Sequence, residues 1–212
     1  MSLNIKTILW DFDGVILDSM KVRDFGFKQI FNKFDKNKVD ELISYHNFNG
    51  GLSRFHKIKY FYNKLLNKTI TEEQVQQYAD SFTIIMKKEL SNPKHLIEDS
   101  VKFIIENYRN YHFHIVSGSE HNELNYLCKE LGLVKYFKSI NGSPTPKIDL
   151  VKQIFHKERY KKEEAILIGD SINDYEAAQL NSIRFYGYNN PDVKSLDNYI
   201  DKFGFDNNLK VV

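Results

Sequence analysis

Short apolar runs of strand length alternate with longer stretches of helical periodicity. This alternation confines the chain to an α/β fold built on a parallel sheet. The runs are TILW at 7–10, FHIV at 113–116, AILIG at 165–169 and IRFYG at 183–187. They are bounded by Gly, Ser, Asp or Asn, residues whose turn chemistry ends strands. Between them, VKFIIENYRN at 101–110, ELNYLCKELG at 123–132 and LVKQIFHKE at 150–158 place apolar residues at i, i+3 and i+4. Gly132 supplies a helix stop. Alternation of this kind joins parallel strands by right-handed crossovers.

Residues 19–95 differ, because they read as helices with no clear strand. TEEQVQQYADSFTIIMKKEL at 71–90 opens on Thr71, an N-cap residue, followed by Glu72 and Glu73, which suit a helix start. The expected organisation is a Rossmann-like α/β core made of 1–18 and 96–212, with an α-helical cap of 19–95 inserted over the end of the first strand.

Composition narrows the function classes. The chain has 212 residues, 42% hydrophobic and 27% charged, as an ordinary globular protein has. Its net charge of +2 comes without a dense Lys/Arg stripe, so no nucleic-acid partner is expected. No apolar run approaches the roughly 20 residues that span a bilayer, so no membrane partner is expected either. The single Cys128 excludes an internal disulfide and fits a reducing compartment, hence a cytoplasmic location. A monomer or weak dimer is expected.

The first run, KTILW, leads directly into DFDGVILDS, so Asp11 and Asp13 share one end of a buried strand. Two such carboxylates repel unless positive charge lies between them, and a divalent cation is the usual resolution. Three further stretches follow strands or open helices: IVSGS at 115–119, PTPK at 144–147 and IGDSINDYEAA at 168–178. In an open parallel sheet the strand C-terminal ends meet at one crevice. Asp11, Asp13, Ser117 and Asp170 are expected there, roofed by the insert.

This ordered set, DxDGVxxDS, a strand ending in Ser, an isolated Lys and GDSxxD, resembles the haloacid dehalogenase-like hydrolase superfamily over nearly the whole chain. The insert's position resembles the helical-cap branch of phosphoglycolate phosphatases and β-phosphoglucomutases. The resemblance implies a Mg²⁺-dependent phosphomonoester hydrolase that acts through an aspartyl-phosphate on a small phosphorylated metabolite. It implies Asp11 as nucleophile, Asp13 as acid and base, Lys147 as charge neutraliser, and Ser117 and Gly118 as phosphate ligands beside Lys147. Asp11, Asp13 through its carbonyl, Asp170 and Asp174 are the implied metal ligands. The chemistry agrees: an anionic nucleophile reaches a dianionic ester only where that charge is neutralised in place.

Other residues carry competing readings. Asp18 and Ser19 read as caps of the following helix. His112, His114 and His121 lie near one another in sequence, but with no cysteine beside them they do not read as a zinc site. In the insert, NFNGGLSRFHKIKYFYNK at 47–64 has a flexible Gly50–Gly51 pair and Ser53 as a helix cap. Arg54 then falls in a first helical turn, where a cation is disfavoured unless an anion offsets it. The stretch resembles the specificity loop of β-phosphoglucomutase-like caps, which implies Arg54 as a substrate residue; Lys57 and His56 are weaker candidates. Tyr60, Phe61 and Tyr62 read as cap core. β-Phosphoglucomutases carry a cap histidine near the place of Arg23, and none stands between 15 and 45 here, which favours hydrolysis over phosphomutase action. The cap also resembles, more loosely, phosphatases encoded beside surface-polysaccharide enzymes, which points towards a sugar phosphate. A binding protein with a relic site is the remaining alternative, disfavoured because every acid and the lysine are present.

Overall fold

The computed structural model describes residues 4–204, so the outer ends of the expected core segments lie outside the described residues. The chain begins with β1 (Thr7–Trp10) and passes into four helices, α1 (Met20–Ile30), α2 (Lys36–Phe48), α3 (Arg54–Tyr60) and α4 (Glu72–Leu90). It then alternates: α5 (Glu98–Asn107), β2 (His112–Glu120), α6 (His121–Glu130), β3 (Ser139–Ser143), α7 (Lys147–Glu158), β4 (Ala165–Gly169), α8 (Ile172–Leu180), β5 (Arg184–Tyr188) and β6 (Asn198–Ile200). The six strands form one sheet in the order β3-β2-β1-β4-β5-β6, with every pairing parallel. This is the expected α/β core with a helical insert after its first strand.

Helices cover both faces of the sheet, so its central strands are buried on both sides and read as unbroken apolar runs. In β1, Ile8 and Trp10 join the cluster that extends into the insert, while Leu9 joins the cluster under α7 and α8. The insert has its own apolar centre, with Phe31 stacked on Phe61 at 4.2 Å between ring centroids. Phe61 is fully buried and Tyr60 and Tyr62 are packed against the cluster, as a cap-core reading requires. Gly26 allows α1 and α4 to approach closely, since a Cβ there would lie 2.6 Å from Met86 Cε and 2.8 Å from Phe82 Cε2.

Local signals work where they involve local bonds. Thr71 forms a capping box with Gln74, and Ser53 Oγ accepts from the His56 N–H at 3.3 Å. Gly132, at φ +70°, follows the end of α6. Two strands were not expected from sequence. β3 reads SINGS, which has turn chemistry, and becomes a strand through its ladder to β2. β6 is three residues long and pairs only with β5. No helix among the described residues is long and apolar enough to cross a membrane.

Phe31 is fully buried in the insert. Phe31→Ala is expected to cost about 3–5 kcal/mol, the usual loss for a buried phenylalanine, measured by urea unfolding. A cost below about 1 kcal/mol would mean the insert contributes little to global stability.

Candidate active site

Register brings the motifs together. Trp10 pairs with Ile115 on β2 and with Ile168 on β4. β1 and β4 therefore end at one level, where the strand order reverses between them, while β2 continues past it to Glu120. Asp11, Ser117 and Asp170 leave the sheet there, in the crevice such a reversal opens. Just after it, Gly14 turns the chain at φ +78°, and any side chain there would collide with the Asp170 carboxylate.

Asp11, Asp170 and Asp174 each offer a carboxylate oxygen, and the three lie within 4.8 Å of one another. Lys147, the first residue of α7, meets this group. Its Nζ is 2.9 Å from Asp11 Oδ1 and also bonds Asp174. Asp174 further accepts from the Ser171 N–H at 3.1 Å and the Ser171 hydroxyl at 2.6 Å. One buried ammonium thus faces three carboxylates. Burial and the Asp174 charge push the Asp11 carboxyl up to about 7, and burial with the Asp11 charge pushes Asp170 well above the usual range. Burial opposes the Lys147 charge, but Asp11 and Asp174 outweigh it and hold the ammonium above its ordinary value. The site is short of positive charge and rich in hard oxygen donors, so its residues fit a divalent cation such as Mg²⁺.

Asp13 has a different environment. Its Oδ1 accepts from the Ser19 hydroxyl at 2.5 Å and Arg23 Nε at 2.7 Å; its Oδ2 accepts from the Ser119 hydroxyl at 2.5 Å. Burial works to raise its pKa, but Arg23 and the two serines prevail and hold it below the usual carboxylate value. The capping expectation for Ser19 is corrected here. Ser19 stands at the N-cap position of α1 but makes no side-chain cap bond, because its hydroxyl is turned to Asp13. Asp18 remains exposed.

Ser117 is buried beside them, its hydroxyl accepting from the Ser119 N–H at 3.1 Å. Gly118 lies against the insert: a Cβ there would run into the backbone carbonyl of Gly51. The insert's Gly50–Gly51 turn thus rests directly on the strand ends.

Arg54 reaches the same region. Its Nη1 donates to the Thr83 hydroxyl at 2.7 Å and forms an ion pair with Glu123 Oε2 at 2.6 Å, its guanidinium lies 4.7 Å from the Phe82 ring centroid, and its buried Nη2 has no hydrogen-bond partner. Glu123 also receives Arg23 Nη1 at 3.3 Å. A fully buried core carboxylate therefore joins two insert arginines. His56 lies outside this group and bonds the Tyr45 hydroxyl. His114 is buried between the Ser139 hydroxyl at 2.8 Å and the Tyr160 hydroxyl at 3.2 Å, and burial pushes its pKa down to about 4.

Sequence reasoning marked Asp11, Asp13, Ser117, Gly118, Lys147, Asp170 and Asp174, and the structure gathers all of them in this crevice. It missed Ser119, Glu123 and His46 and gave Arg23 no contact. Ser119 was visible as the last residue of IVSGS; Glu123 sits in the first turn of α6 with no signal of its tertiary partners.

A family model, described as haloacid dehalogenase-like hydrolase, matches residues 8–188. No curated protein matches the chain. Among solved structures, CbbY from Rhodobacter sphaeroides in complex with xylulose-(1,5)bisphosphate is similar at 16% identity, TM-score 0.75, over 94% of this chain and 95% of that one. β-Phosphoglucomutase from Clostridium difficile is similar at 18% identity, TM-score 0.73, over 94% and 92%. The HAD-hydrolase YfnB from Bacillus subtilis, bound to magnesium, is similar at 18% identity, TM-score 0.69, over 92% and 93%. At these identities the likeness is one of fold.

The raised Asp11 pKa has a stability consequence. Its contribution is fully present below the ordinary value of 3.8 and is lost as pH rises through about 7. Metal-free Asp11→Asn is therefore expected to exceed metal-free wild type in urea-unfolding stability at pH 8, by on the order of 1–3 kcal/mol, with the gap narrowing as pH falls to 5. A less stable variant at pH 8 would contradict the charge balance described above. Gly118→Ala should keep the thermal midpoint near that of wild type yet lower turnover roughly 10- to 100-fold, because the insert can no longer settle on the strand ends. Unchanged turnover would show that this close approach is dispensable.

Proposed function

The chain belongs to the haloacid dehalogenase-like hydrolase family, and on that premise we propose that it is a phosphomonoester hydrolase acting through an aspartyl-phosphate on a small phosphorylated metabolite. The observation that carries the reading is the charge balance at the strand ends, where the carboxylates of buried Asp11 and Asp174 and half-buried Asp170 cluster around one bonded cation, Lys147. Mg²⁺ would be held by Asp11, Asp170 and the Asp13 carbonyl, with Asp174 keeping Lys147 and Ser171 in place. When bound it supplies charge neutralisation for the nucleophile and the phosphoryl oxygens. The magnesium bound to the similar YfnB structure supports that choice.

In this reading the Asp11 carboxylate attacks phosphorus in line with the leaving oxygen. Lys147 offsets charge on Asp11 and on the transferred group. Ser117 and the Gly118 N–H hold equatorial oxygens. Asp13 hands a proton to the leaving oxygen, then takes one from the water that cleaves the aspartyl-phosphate. Ser19, Ser119 and Arg23 favour ionised Asp13, the form the hydrolytic half-reaction needs. Arg23 stands near the place where the β-phosphoglucomutases have a histidine, and its hold on Asp13 favours water over a second sugar as acceptor. The leaving group extends from Asp13 towards the insert, where the unpartnered Arg54 Nη2 offers it a donor. The bisphosphate bound to CbbY supports a phosphorylated sugar or a molecule of similar size.

A phosphate-release screen over sugar phosphates, phosphoglycolate, nucleotides and pyrophosphate, with and without Mg²⁺, tests this proposal. At least one ester should be turned over with Mg²⁺ and none after EDTA treatment. Asp11→Asn should retain under about 1% of turnover, since a neutral amide is a far poorer nucleophile. Undiminished release in EDTA, or by Asp11→Asn, would overturn the mechanism.

A further inference from the structure

The cations on the insert side of the crevice are not equivalent. Arg23 is committed to Asp13 and Glu123, and Arg54 to Glu123 and Thr83. Two carboxylates and two guanidiniums thereby close into one neutral buried chain. Lys57, only 2% exposed, stands outside it. Its Nζ donates to His46 Nδ1 at 2.8 Å and to the Gly50 carbonyl at 3.2 Å. No carboxylate among the described residues lies within 4.0 Å of it. His46 cannot supply the missing charge: burial holds its ring well below the usual value, so it is a neutral acceptor. Its Nε2 lies 3.8 Å from Asp24 Oδ1, beyond hydrogen-bond distance.

A buried ammonium with neutral partners is an expensive arrangement. Burial, with Arg23 adding to it, brings Lys57 down to about 7, against the more distant pull of Asp13, Asp170 and Asp11. Lys57 lines a cavity with Asp13, Arg23, His46, Arg54 and Ser119, and this cavity is only about 20 Å³ with the insert closed, room for roughly one water. Because Asp13 serves the leaving oxygen, this is the leaving-group side of the site. Arg54 Nη2 borders the same cavity with no partner of its own.

We propose that Lys57, seated on His46, selects the leaving group by pairing with a compact anion on it, so that the substrate class is a small phosphorylated hydroxy acid. A carboxylate matches what the cavity presents. It brings one negative charge for the one uncompensated cation and a second acceptor oxygen for Arg54 Nη2. A second phosphate brings more charge than Lys57 balances. This assignment rests on the phosphomonoesterase reading for the position of the ester, and it moves the charge recognition from Arg54 to Lys57.

The test uses two esters that differ only in a carboxylate against a hydroxymethyl group, 3-phosphoglycerate and glycerol 3-phosphate. Calorimetric titration of the Asp11→Asn protein with Mg²⁺ reads binding whether or not either ester is turned over. The carboxylate ester should bind roughly 10- to 100-fold tighter, the range for a charge-assisted bond. Adding Lys57→Met should collapse that ratio towards one, and Lys57→Arg should restore part of it. Steady-state kcat/KM of the otherwise wild-type enzyme on the same pair should follow the same ratios. Equal binding of both esters, binding of neither, or an equal loss on both with Lys57→Met overturns the Lys57 assignment and would leave the residue a packing role. Preferential binding that depends on Lys57, with no hydrolysis of any ester by the wild-type protein, would sustain the assignment while sinking the phosphatase reading.

Discussion

The contact of Lys147 with Asp11 and Asp174 is the interaction on which the site depends. It joins the first residue of α7 to the end of β1 and the first turn of α8, three segments far apart in sequence. A parallel sheet makes such a meeting possible, because its strands release their chains on one edge. The same geometry makes it costly, because it concentrates carboxylates where water is excluded. Lys147 relieves part of that repulsion, and the raised pKa values of Asp11 and Asp170 measure what is left. The sheet can be built from apolar alternation alone; the site on its edge needs further positive charge to reach its working state.

The insert is coupled to that edge by steric and electrostatic contacts of different kinds. Gly118 and the Gly51 carbonyl meet where no side chain fits, which sets how close the roof can come. Glu123, fully buried on the core, forms ion pairs with Arg23 from α1 and Arg54 from α3. Removing any one charge from this chain would leave another buried and unpaired, a loss typically larger than the pair's net contribution. Arg23 belongs to both contacts, so the same side chain ties the insert to the core and helps to hold Asp13.

Four strands were legible because each is a mostly apolar run with a turn residue at its end. β3 and β6 were not, because SINGS and NYI have no pattern of their own and owe their extended form to their neighbours. The clustered aspartates and Lys147 could be placed together because a strand end or helix start fixes where each side chain begins. Arg23, Ser119, Glu123 and His46 could not. Their positions follow from how the insert docks, and one sequence holds no marker for a contact of |i−j| = 100 such as Arg23 with Glu123. Ser19 shows the limit most plainly: its spacing is that of a helix cap, yet a nearby carboxylate takes its hydroxyl.

The crevice is polarised by these arrangements. On the core side, carboxylates exceed cations around Asp11, a balance that a divalent ion would restore. On the insert side, the paired acids and arginines cancel, and Lys57 remains. A phosphate ester with an anion at its far end meets opposite requirements at its two ends: the phosphoryl group belongs where a metal can share it, and the compact anion belongs where a single ammonium waits. Reversing such a molecule would bring a dianion to a cavity with one uncompensated positive charge and move the reacting phosphorus away from Asp11. Orientation then follows from charge alone, before shape is considered, and it is the buried ion pairs of Arg23 and Arg54 that make it so, by removing the other cations from competition.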